Sequence, residues 1–61
     1  MIEDFTQRRL WLKYSLLKNL KQQLAEVDEI PDPILRAELR QTIRSKIETT
    51  ESQIDEIIRR A

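Results

Sequence analysis

The run Ile30-Pro31-Asp32-Pro33 is the only strong break in the chain, and it constrains the fold more than any other feature. A residue preceding proline is pushed out of α geometry, so Ile30 and Asp32 are both disfavoured as helical. Asp32 is also a good helix N-cap, and Pro33 suits the first helical position, where its missing N–H is no loss. The expected architecture is an all-α, two-helix antiparallel hairpin over residues 1–61, with helix 1 near 3–28, a turn at 29–32 and helix 2 near 33–60. At 1.5 Å per residue, each helix would be roughly 40 Å long.

Hydrophobic periodicity agrees with this division. Placed at 100° intervals, Ile2, Phe5, Leu16, Leu17, Leu20, Leu24 and Val27 gather on one side of the first helix. The second helix gathers Leu39, Ile43, Ile47, Thr50, Ile54, Ile57, Ile58 and Ala61. Several of these recur at a spacing of eleven, as in Ile43 and Ile54 or Ile47 and Ile58, a period that requires little supercoil. A leucine-rich stripe is thus expected to meet an isoleucine-rich one.

Such a pair has a small core. Hydrophobic residues make up 39% of the chain and charged ones 36%, too apolar a mixture for disorder. Yet a chain of this length gains little more from burial than it loses in conformational entropy. With no cysteine or histidine there is neither a disulfide nor an ordinary zinc site to add stability. Oligomerisation is the remaining means. The expected assembly is a homodimer forming an antiparallel four-helix bundle, with Leu16, Leu17, Leu20, Leu24, Leu39, Ile43, Ile47 and Ile54 as candidate interface residues. A hetero-oligomeric bundle completed by a different chain is the competing arrangement.

Eleven basic and eleven acidic residues cancel, but they are not evenly spread. Residues 7–24 carry Arg8, Arg9, Lys13, Lys18 and Lys21 with no acid, whereas Glu48, Glu51, Asp55 and Glu56 follow one another with no base between them. If residues whose numbers sum to about 61 lie side by side, Lys21 faces Arg40 and Lys18 lies near Arg44. One flank is then basic by the turn and acidic toward the termini, where it carries Glu48, Glu51 and Asp55. The plainest reading is a solvated face with i,i+4 pairs at Arg44–Glu48, Asp55–Arg59 and Glu56–Arg60, each worth ~0.2–0.5 kcal/mol. A second reading is that these charges orient an antiparallel dimer. A third takes Lys18, Lys21, Arg40 and Arg44 as a phosphate-binding cluster for RNA or DNA. Acids on the same flank count against that last reading.

Trp11 lies opposite the centre of the first stripe, and Tyr14 follows one turn on. Both are candidates for docking a partner protein, because Trp and Tyr are favoured anchors at interfaces. Membrane contact is disfavoured, since the neighbouring bases scatter around the helix instead of sharing one polar face.

Catalysis lacks its parts. Without His, Cys or Gly there is no imidazole base, no thiol nucleophile and no phosphate-cradling glycine loop. The carboxylate pairs Glu51/Asp55 and Asp55/Glu56 have no expected cavity to shift their acidity. Arg9, Lys13 and Lys46 fall on or near the stripes and are expected to reach outward over apolar surface. Arg36, near the turn, is expected to pair with Glu26. The apolar runs are too short to cross a membrane, and Glu3 and Asp4 stand where a leader peptide would be basic. The expectation is a cytoplasmic, non-enzymatic protein-binding or regulatory module without cofactor or metal, with nucleic-acid binding as the alternative.

Overall fold

The computed structural model describes the backbone of residues 2–60 and the side chains of residues 5–60. Two helices, α1 (Ile2–Val27) and α2 (Pro33–Arg60), pack against each other, and no strand occurs among the described residues. The Cα envelope measures 48 × 15 × 9 Å, two helices wide and one helix thick. The expected helical hairpin is therefore present. Ile2 and Ala61, which the periodicity puts on the two stripes, lie outside the described side chains.

Local chemistry makes the reversal. Beyond Val27 the chain continues to wind through three i→i−3 hydrogen bonds, Asp28 N–H to the Ala25 carbonyl, Glu29 to Glu26 and Ile30 to Val27. These satisfy carbonyls that the end of a helix would otherwise leave open. Pro31 then stops the winding. Asp32 caps α2 as its position predicts: its Oδ1 accepts from the Ile34 N–H at 2.9 Å and from the Leu35 N–H at 3.4 Å. Its own carbonyl accepts the first helical bond, from Arg36 N–H at 2.9 Å. No described residue has a positive φ, so this turn needs no glycine.

Arg36 does not pair with Glu26. Its Nη1 donates instead to the Ile30 carbonyl at 3.1 Å, spanning the turn and occupying an acceptor left open because the Ile34 N–H goes to Asp32.

The seam is built from buried Leu20, Val27 and Ile43, with half-buried Leu24, Ile30, Leu39 and Ile47 packed around them. Ile54 and Ile57 are buried further toward the termini. Thr50 is buried on the same stripe, and its hydroxyl donates to the Lys46 carbonyl one turn back at 2.8 Å. That bond lets a polar residue sit among isoleucines without an unsatisfied group. No large side chain among those described is fully enclosed.

Three stripe residues depart from expectation. Phe5, Leu16 and Ile58 are exposed. Toward the open end, the groove between the helices is lined by Thr6, Arg9 and Lys13 from α1 and by Gln53, Glu56, Ile57 and Arg60 from α2. Apart from Ile57 these side chains are polar or charged, and Phe5 takes no part in the groove.

The register also differs. Lys13 meets Gln53, whereas a sum of 61 would set it beside Glu48. Arg40 pairs with Asp28 and does not face Lys21. The cause is the extra winding through Ile30. It carries the first helical path past Val27, so the chain reverses later and α2 is displaced along α1 by several residues.

Candidate interaction surface

A two-helix hairpin has two broad faces and two outer edges, and side-chain spacing assigns residues to each. On one face, Tyr14 and Leu17 of α1 and Glu51, Ile54 and Asp55 of α2 line a single shallow groove. By helical spacing Lys21 lies one turn beyond Leu17, and Arg40, Arg44 and Glu48 continue the row of Glu51 and Asp55 toward the turn, where these three share a second shallow groove with Ala37, Gln41 and Ser45 on the outer side of α2. This face is basic near the turn and acidic near the termini, as the sequence predicts. On the opposite face, Leu16, Leu20 and Gln23 meet Ser45, Lys46, Thr49, Thr50 and Gln53. Phe5 and Leu12 extend its α1 side.

Among the described residues two ion pairs form, Arg40–Asp28 and Arg60–Glu56, the latter at 2.8 Å. The i,i+4 pairs expected at Arg44–Glu48 and Asp55–Arg59 do not close. Arg44, Glu48, Glu51 and Asp55 thus stand along one face without an ion-pair partner. Arg40–Asp28 has side-chain exposures of 39% and 63%, so solvent screens it and it adds little to stability.

The phosphate-binding candidates are not drawn into one cluster. Lys21 and Arg40 are out of register, Arg40 is engaged by Asp28, and Lys18 lies behind the face on the outer edge of α1. The eight candidate interface residues divide three ways. Leu20, Ile43 and Ile54 are buried inside the hairpin, while Leu17, Leu24, Leu39 and Ile47 keep part of their surface exposed. Leu16 is 44% exposed.

Trp11 is 67% exposed on the outer edge of α1, and Tyr14 lies between that edge and the charged face. Of the three basic residues on the stripes, Arg9 and Lys46 are exposed, and Lys13 reaches across the seam to Gln53. Two features escaped the sequence reading. Gln53 was not singled out, and Ile34 and Leu35 at the start of α2 are exposed, Ile34 to 71%. Their wheel positions, away from Ile43, carried that signal.

No helix is long and apolar enough to cross a membrane, and no group of three or more Asp or Glu side chains among the described residues is placed to hold a metal ion. No family model matches this sequence, and neither a curated protein nor a solved structure shows significant similarity to it.

Proposed function

We propose that this chain is a cytoplasmic, non-enzymatic protein-binding or regulatory module that works as a homodimer of hairpins, completing a four-helix bundle. On this reading the dimer presents the outer edge of α1, around Trp11 and Tyr14, to another protein. The observation that carries the proposal is surface area. A compact monomer of 7.4 kDa exposes about 4,200 Å² by the usual mass scaling, whereas this hairpin exposes 5261 Å². The excess is of the order that one partner contributes to a standard protein interface, about 800 Å². The type of surface left over points the same way. Phe5, Trp11, Leu12, Tyr14 and Leu16 are all exposed within a dozen residues of α1, and aromatic anchors are enriched where proteins meet.

Sedimentation equilibrium tests the assembly. The expected result is twice the chain mass at micromolar concentration, with a melting temperature that rises as protein is added. A folded species of single-chain mass, melting at a concentration-independent temperature, would overturn it. Docking is tested by Trp11 emission, which should shift to shorter wavelength when a protein recovered from the native host is added, and should not respond to added RNA.

A further inference from the structure

We infer that the occupant of the charged face is a second copy of this chain, lying antiparallel, with Arg44 of each copy against Glu51 of the other and Arg40 against Asp55. This rests on the homodimer reading and adds which face is used and in what register.

Four of the charges on this row of α2 are complementary to one another under one operation, while the fifth, Glu48, lies at the axis beside Glu48 of the second copy. A two-fold axis across the face pairs each residue of α2 with one equally far beyond the axis in the other copy, since such an interface uses the same patch twice. Arg40 and Asp55 are equidistant from the mid-point between Ile47 and Glu48, and so are Arg44 and Glu51. One axis therefore satisfies both pairs, and symmetry doubles them to four. Three of these four side chains, Arg44, Glu51 and Asp55, have no ion-pair partner among the described residues. Arg40 is still 39% exposed beside Asp28 and can bridge two carboxylates.

The apolar surface follows the same axis. With Lys13 beside Gln53, the mid-point on α2 is level with Lys18 and Asn19 on α1. Tyr14 then comes level with Gln23 of the second copy, next to Leu24, and the stem of Lys21 with Leu16, next to Leu17. Tyr14, Leu17 and Ile54 already form the floor and wall of a groove on this face. The face has a Cα outline of 48 × 15 Å, enough for about 800 Å² per partner once side chains are included. The parallel arrangement fails on the same residues. It sets Arg44 level with Gln22 of the second copy and Glu51 level with Ser15, neither of which carries an opposite charge.

Charge reversal separates these arrangements. Arg44→Glu and Glu51→Arg should each weaken self-association about tenfold or more, because each creates two like-charge contacts in a symmetric dimer. The double variant Arg44→Glu/Glu51→Arg should recover to within about threefold of the unmodified chain, the complementarity being restored with its sign exchanged. Mixing the two single variants should give a 1:1 heterodimer tighter than either homodimer. Both positions are exposed, and unchanged helical circular dichroism serves as the folding control. A second readout needs no charge change: a spin label at exposed Ile34, as Ile34→Cys, should lie about 40 Å from its copy, 27 residues of rise at 1.5 Å. A parallel dimer would place the labels about two helix diameters apart, roughly 20 Å. If the unmodified chain does not dimerise, the homodimer reading falls and this inference falls with it. If it dimerises but ignores the reversals, or gives the short distance, the homodimer stands and the charged antiparallel interface is wrong.

Discussion

Lys13 donates a hydrogen bond from Nζ to Oε1 of Gln53, 2.7 Å away on the other helix, in a groove that buried Ile57 also lines. Forty residues of chain separate the two. It is the contact that defines the register of the open half of the hairpin. Because the acceptor is a neutral amide, the bond should resist salt better than an exposed ion pair of the same span. A double-mutant cycle with Lys13→Met and Gln53→Leu is expected to give a coupling of about 0.5–1.5 kcal/mol, changing little between low and high salt. A coupling that vanishes in salt would mean that Lys13 is held by Glu56 and not by Gln53.

The cap of α2 should matter more than its exposure suggests. Asp32 satisfies the N–H groups of Ile34 and Leu35 at the one place where the chain turns back. Asp32→Ala is expected to cost ~1 kcal/mol, within a usual range of about 0.5–2. For a domain of this size that lowers the melting temperature by about 4–8 °C. Thermal melts followed at 222 nm, at one fixed protein concentration, provide the check. Asp32→Asn should recover most of the loss, since its amide oxygen can still accept.

How much of this molecule can be read from its sequence is visible in the same segment. Two prolines flanking an aspartate state both a helix stop and a helix start, and the chain obeys them because each effect is local. The stripe on α2 is equally legible, because an eleven-residue recurrence of branched residues keeps one side of the helix apolar over its length. Register is not local. It depends on three i→i−3 bonds from Asp28, Glu29 and Ile30, and no side chain in that stretch announces them. Lys21 therefore does not stand opposite Arg40. Phe5 illustrates a different gap. Its helical phase fits the stripe loosely, but the groove at that end is lined on α1 by Thr6, Arg9 and Lys13, and Phe5 stays exposed. The charged face was legible as composition along a row; the failure of Arg44–Glu48 to close was not.

Two neighbours on the α2 stripe should respond in opposite ways to losing a side-chain group. Ile43 is buried against Leu20 and Val27, so Ile43→Ala removes contacts at the centre of the seam and is expected to cost about 2–5 kcal/mol. A hairpin with so few buried residues should lose most of its helical signal at 37 °C. Thr50 is as deeply buried, but its hydroxyl bonds only to the Lys46 carbonyl of its own helix. That carbonyl keeps its ordinary helical donor when the hydroxyl is removed. Thr50→Val is therefore expected to be neutral or stabilising, by less than about 1 kcal/mol. Denaturant titration of both variants decides it, and a loss above 2 kcal/mol for Thr50→Val would reveal a second partner for the hydroxyl.

Trp11 and Tyr14 lie three residues apart on α1, yet the antiparallel interface assigns them different work. Tyr14 lines the groove with Leu17 and Ile54, so truncating it removes surface that a second copy would cover. Trp11 is on the outer edge, away from both the seam and the charged face. Tyr14→Ala is thus expected to weaken self-association by about 1–2 kcal/mol, as for an aromatic near the margin of an interface. Trp11→Ala should leave the dimer constant and the melting temperature nearly unchanged, within ~0.5 kcal/mol for an exposed position. The same substitution should abolish retention of a partner protein that the unmodified chain retains. Sedimentation and pull-down on the same two variants read these effects separately. Should Trp11→Ala dissociate the dimer while Tyr14→Ala does not, the second copy occupies the outer edge of α1, and the charged face is left to some other ligand.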